Sequence, residues 1–229
     1  MSRWLALTTL AFATGCSGLD EGDTLAIELR VVSPANTNIE VGQQAQLSAE
    51  AFNSNGEAVA APITWRAADA TVTVEESSGL VTGVSPGLGR VQAASGSLSS
   101  DFVQFNVGAR ADTLIIVGDS VVTVPIEPGV TPALVVRLDS FDPAGPVAGR
   151  QVQYRITHPV AGDAPVVQLS GDVQSAVVAT GSDGTTAGIQ LGRVPGTTPP
   201  DTAIVEVSAA RSEGALVPGS GQRFIVVFQ

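Results

Sequence analysis

Three side chains in this 229-residue sequence stand in settings that could do chemistry: Ser120, His158 and Cys16. Ser120 lies in "DTLIIVGDSVVTV" (112–124), where an apolar run delivers Gly-Asp-Ser. A serine presented in this way can act as a nucleophile if a histidine takes its proton and a carboxylate orients that histidine. His158 is the one histidine in the chain, and Arg155 stands three residues before it, where an orienting aspartate would be wanted. Cys16 is the one cysteine, so no intrachain disulfide can form and no Cys/His set exists for zinc. Oxygen-rich stretches such as "FNSNGE" (52–57) and "SFDPAG" (140–145) are fragments of the kind found in calcium sites, but neither has the spacing of a dedicated loop; both read as solvated turns.

The Gly-Asp-Ser run resembles the nucleophile turn of GDS-type esterases, in which a helix follows the serine. Here the following "VVTVPIEPGV" is β-branched and carries two prolines, which disfavours a helix. Ser120 is therefore expected in an opening strand region and His158 in a loop beside Pro159. No catalytic residue, metal or cofactor is expected. Carbohydrate recognition would require exposed aromatic platforms. Trp65 and Tyr154 fall on apolar faces of strands, and Phe52 and Phe141 are out of phase with theirs, so the latter two could be exposed or serve their turns.

Composition narrows the classes further. Charged residues make up 14%, every basic side chain is Arg, and the formal net charge is −11. Nothing here could neutralise a run of phosphates, which argues against nucleic acid, and the acidic balance disfavours docking onto anionic lipid. Apolar residues reach 44%, with 25 Gly and 14 Pro, a mixture that favours many short strands over helices or disorder.

The N-terminus "MSRWLALTTLAFATGC" has a basic head at Arg3, an apolar stretch and then small residues, the pattern of a secretory signal peptide too short to span a bilayer. Its "ATGC" ending resembles the lipobox of bacterial lipoproteins, with Ala13 where that family prefers Leu. The resemblance implies cleavage after residue 15 and acylation of Cys16. The mature chain would carry 10 Arg against 22 acidic residues, a charge of −12, and would be held on the membrane by acyl chains. Ser17 resembles the residue that directs outer-membrane sorting. Residues 16–22 would form a short polar tether.

An internal repeat organises the remainder. "DTLAIELRVV" from Asp23 returns as "DTLIIVGDSVV" from Asp112, an offset of 89 residues, with nine identities across positions 23–66. Phe52 meets Phe141, Gly56 meets Gly145, Trp65 meets Tyr154 and Arg66 meets Arg155. Later the offset grows to 105, "SGLVTGV" from Ser78 matching "DGTTAGI" from Asp183, so the second copy holds about 16 extra residues around "THPVAGDAPVVQLSGDV". Period-2 alternation, as in Leu47, Ala49, Ala51 and in Val152, Tyr154, Ile156, predicts roughly seven short antiparallel strands per copy. With one apolar face per sheet, each copy should close as a β-sandwich with Trp65 or Tyr154 in its core. The expected units are residues 23–108 and 112–229.

The stretch "VGQQAQLSAEAFNSNGEAV…ITWRAADATVTVEESSGLVTGVSPGLGRVQAAS" resembles bacterial immunoglobulin-like domains of group 2, through its "VGQ" lead-in, the Trp of "ITW" and the "SGLVTGV" turn. The second copy is similar to the group 1 domains of invasin- and intimin-like surface proteins. The resemblance implies tandem immunoglobulin-like sandwiches in a cell-envelope protein, acting as a structural, spacer or adhesive module without enzymatic activity. A module that binds a glycan or a partner envelope protein is the competing expectation.

Overall fold

The computed structural model describes residues 24–160 and 165–229; Cys16 and the stretches expected to form a signal peptide and tether lie outside the described residues. Among the described residues there are only strands, turns and bridges, and no helix is long and apolar enough to cross a membrane.

The first half is built from β1 (Glu28–Val32), β2 (Asn38–Glu40), β3 (Gln44–Gln46), β4 (Ser48–Phe52), β5 (Ala58–Val59), β6 (Thr64–Ala67), β7 (Val72–Val74), β8 (Leu80–Gly83), β9 (Gly87–Ser95), β10 (Leu98–Ser99) and β11 (Val103–Gly108). One layer holds the order β1-β4-β5; the facing layer runs β10-β9-β11-β2, with β6 also on β9; β3-β8-β7 form a small third sheet. The second half continues with β12 (Thr113–Val117), β13 (Val121–Val124), β14 (Val135–Phe141), β15 (Ala144–Pro146), β16 (Gln151–His158), β17 (Val167–Leu169), β18 (Ser175–Ala179), β19 (Leu191–Arg193), β20 (Thr202–Ala209) and β21 (Gln222–Phe228). Its sheets are β12-β14-β15, β13-β21-β20-β16-β18 and β17-β19.

Alternation in the sequence becomes alternation of burial. Along β16 residues 151–156 alternate exposed and buried, and Val152, Tyr154 and Ile156 face inward. Two separate apolar clusters result. One gathers Ile39, Leu47, Trp65, Val81, Phe105 and their neighbours; the other gathers residues from Ala111 to Phe228 around Tyr154. Trp65 is 6% exposed and Tyr154 is fully buried. The Tyr154 hydroxyl, which burial alone would leave unsatisfied, bonds Thr186 Oγ1 (2.6 Å) and donates to the Leu134 carbonyl (3.2 Å). Burial raises its pKa, with the Thr186 bond partly opposing.

The strands are not all antiparallel. In each half the opening segment pairs first with one layer (β1 on β4, β12 on β14) and then crosses to run parallel to the last strand (β2 on β11, β13 on β21). The sequence repeat also needs correcting there. Val31 faces Ala49 and Leu114 faces Leu138, and Ala49 and Leu138 are 89 apart, so the opening strands correspond at an offset of 83. The shift from 89 is six residues. An even slip keeps every apolar residue on its own face, so alternation alone could not detect it. The extra segment of the second half supplies β17, which pairs with β19, and leads into β18, which lies beside β16 at the end of the main sheet.

The "SGLVTGV" motif has a steric meaning. Gly79 has φ +75°, and a Cβ there would stand 2.7 Å from Trp65 Cε2 and 3.0 Å from the Leu47 carbonyl. A Cβ on Gly83 would lie 2.7 Å from the carbonyl oxygen of Glu40. Both glycines let a backbone approach what a side chain would displace. In the "VGQ" lead-in, Gln43 N–H donates to Glu40 O (2.9 Å) with Gly42 at φ +80°, the geometry of a turn that wants glycine at its third position.

Candidate functional site

Ser120 is not a strand residue. It occupies a bend between β12 and β13, exposed, its carbonyl accepting from Ile225 N–H (2.8 Å). The 89-residue alignment had laid it on Val31, and the six-residue slip explains the difference. His158 is not a loop residue either: it is the exposed end of β16, opposite Ile204. Register places Val121, Ile225, Ile204 and His158 in one row across the sheet. Three interstrand steps put His158 about 14 Å from Ser120's neighbour Val121, beyond any proton transfer.

The oxygen-rich turn "FNSNGE" is held by its own bonds. Asn53 is buried, and its Oδ1 accepts from the N–H groups of Asn55 (3.0 Å) and Glu57 (2.9 Å), which shapes the turn. Among the described residues no group of three or more His, Cys, Asp or Glu side chains could hold a metal ion. Phe141 is 68% exposed at the end of β14, whereas Phe52 is half-buried with Arg30 stacked 4.3 Å from its ring centre.

The most developed concavity lies on the first half. An open groove of about 810 Å³ runs between β1 and the start of β11, lined by Glu28, Arg30, Arg90, Asp101, Phe102 and Gln104, among others. Arg30 grips Glu28 through two bonds (2.8 and 2.9 Å), and Arg90 grips Asp69 likewise (2.8 and 3.0 Å). These hydrogen bonds hold both carboxyls below the usual carboxylate range. Arg90 also lies 5.3 Å from the ring centre of Phe102, which precedes β11 and is 47% exposed. The groove thus offers an aromatic face beside two arginines, Arg30 and Arg90, that are each paired with a carboxylate. It can stack or brace. The sequence carried one faint sign of it, Phe102 just after a polar Ser-Ser-Asp turn, and none of Arg90's role, because the pairing spans 21 residues.

Comparison with known proteins agrees with this picture. Residues 30–104 match the family model described as "Bacterial Ig-like domain (group 2)". Ice-binding protein 1 of Shewanella frigidimarina is 32% identical over 87 residues, which is 37% of this chain and 10% of that protein. Among solved structures, the Escherichia coli adhesin FdeC is similar with a TM-score of 0.52 at 14% identity, over 88% of this chain and 64% of that one. The Yersinia pseudotuberculosis adhesin InvE gives a TM-score of 0.45 at 15% identity, over 93% and 62%. The chain therefore spans a tenth of the curated relative and less than two thirds of either adhesin structure. It is an all-β protein of immunoglobulin-like sandwiches, and its residues 30–104 match the group 2 bacterial immunoglobulin-like domain.

Proposed function

We propose that this chain is a lipid-anchored, non-enzymatic spacer of the cell envelope, with the units 23–108 and 112–229 projecting from a membrane that holds acyl chains on Cys16. The reading is carried by the "ATGC" ending of a short apolar leader placed a few residues ahead of two apolar-cored sandwiches. The group 2 match and the fold shared with FdeC support a structural or adhesive module on the outer side of the cytoplasmic membrane. The acidic, lysine-free composition is unsuited to binding anionic lipid electrostatically, which favours attachment by acylation. The ice-binding relative lends its name to nothing here, because the matched stretch is a tenth of it. Metabolic labelling with a fatty-acid analogue tests the anchor: the wild-type chain should take up label and partition into detergent, and Cys16→Ala should do neither. A wild-type chain that takes up no label is a freely secreted protein, and the reading fails.

One observation favours a second reading, a binding module for a glycan or a partner envelope protein. Phe102 presents an exposed ring in a broad groove of the first sandwich, braced by Arg90. A glycan-binding screen of the wild-type chain and Phe102→Ala would support it if binding is seen and lost with the ring. No binding in either leaves the spacer reading alone.

A further inference from the structure

We propose that Glu40 is a latch that locks the two sandwiches into one fixed mutual orientation. Glu40 ends β2 in the first half and is 2% exposed, a rare state for a carboxylate, which is seldom fully buried unless paired. Both hydrogen bonds to its Oε1 come from the second half: one from the Arg150 guanidinium, the other from the backbone N–H of Ser212 (2.8 Å). Ser212 also donates through Oγ to Gln43 Oε1 (2.7 Å), and that same oxygen accepts the backbone N–H of Glu40 (2.9 Å). The carboxylate and its turn are therefore gripped together.

The two donors stand on separate loops, and each loop is itself fixed. Arg150 precedes β16; its N–H donates to Thr180 Oγ1 (3.0 Å) and its carbonyl accepts from Thr180 N–H (2.9 Å), with Thr180 buried. Ser212 sits in the tight turn after β20, closed by Arg211 N–H to Ala215 O (2.8 Å) and Gly214 N–H to Arg211 O (2.9 Å). The connection between the halves is pinned as well. Arg211 donates to the Ala111 carbonyl (2.9 Å) and pairs with Asp112 (3.3 Å), which Arg110 also reaches (3.0 Å), and Ala111 is fully buried in the second core.

A single covalent connection leaves bending and twisting free. Two anchor points on different loops, meeting one carboxylate beside that connection, remove both. The latch is all-or-none in character, because losing one partner strands a buried charge while undocking rehydrates it. Its glutamate sits where the β2 turn packs on Gly83, so the steric demand that fixes the motif glycine also fixes the latch. The proposal concerns geometry within the chain and stands whether or not Cys16 is acylated.

Electron–electron double resonance on the full chain tests it. Cys16→Ser removes the native thiol, and nitroxides on Ser97→Cys and Asp119→Cys, both exposed, report the distance between halves. The latched protein should give one narrow distance distribution. Arg150→Ala and Glu40→Ala should each broaden it at least twofold, and the double variant no further, because both changes break the same contact. Arg150 lies wholly in the second half, so its variant leaves the first sandwich's fold untouched even if Glu40→Ala perturbs it. A broad distribution in the parent protein, or a width unchanged by Arg150→Ala, overturns the proposal.

Discussion

Replacing Trp65 with Ala tests whether the two cores are energetically separate. The ring is 6% exposed in a cluster that includes Leu47, Val81 and Phe105. An aromatic of this kind buries about 150–250 Å², and at about 25 cal/mol per Å² the transfer amounts to about 4–6 kcal/mol. The alanine keeps part of that and the cavity adds to it, so a cost of about 3–5 kcal/mol follows. A sandwich of this size has a total stability of about 4–13 kcal/mol, so the variant's first half should stand close to unfolding. Its transition should fall by on the order of 12–40 °C. The second half loses its contacts to Glu40 and Gln43 when the first unfolds, about 1–3 kcal/mol, a shift of no more than about 12 °C. Calorimetry resolves the two transitions, and the near-ultraviolet signal of Tyr154, the chain's one tyrosine, reports the second core directly. A single transition that moves as one unit, or a Tyr154 signal that collapses with the first sandwich, would refute two separate cores.

Gly79→Ala should cost about 2–5 kcal/mol in urea unfolding, because it combines a left-handed backbone with a 2.7 Å approach to Trp65. Gly56→Ala, at φ +78° with nothing within 4 Å, should cost only about 1–2 kcal/mol, and equal costs would remove the steric meaning of the motif. Tyr154 should make the second sandwich sensitive to alkali: burial raises its pKa, so its contribution is whole below about pH 10, where the unfolded phenol ionises, and is lost as pH climbs toward the folded pKa. Tyr154→Phe should cost about 1 kcal/mol at neutral pH and lack that alkaline loss; identical pH profiles would deny it. Ser120→Ala should change neither stability nor any binding, and a fluorophosphonate probe should leave the wild-type serine unlabelled.

The sandwich architecture was legible because its period is local. Alternation along Val152, Tyr154 and Ile156 survives into burial without any help from distant residues. The Trp65–Tyr154 correspondence was legible because the short runs "ITWR" and "VQYR" carry it in adjacent letters, and β6 pairs with β9 as β16 pairs with β20. What alternation cannot encode is register, and the opening strands show it: Val31 and Leu114, not Val31 and Ser120, hold equivalent places against their partner strands. The parallel crossing of β2 and β13 was hidden too, because a three- or four-residue strand carries too little pattern to declare a direction. Glu40 and Arg150 are 110 residues apart, and Arg90 reaches Asp69 and Phe102 from a third strand, so no spacing rule could have joined either set.

The same crossing answers a problem every open sandwich faces, that of unpaired strand edges that invite other chains. By splitting its first strand, each half lays β2 along β11 and β13 along β21, so the last strand of the main sheet is covered by a short piece of its own chain. Another edge of the second half, β12, is covered differently. Leu114 N–H donates to Pro218 O (2.8 Å), and the Gln222 side chain imitates a neighbouring strand, donating to Leu114 O (3.1 Å) and accepting from Ile116 N–H (3.4 Å). That contact requires glycine nearby, since a Cβ on Gly219 would fall 2.1 Å from the Leu114 carbonyl. The turn sequence "PGSGQ" (218–222) therefore has a purpose its composition disguises: it reads as a solvated loop, but its backbone and one amide stand in for a strand. Here the closure is built from local turn chemistry rather than from additional strands.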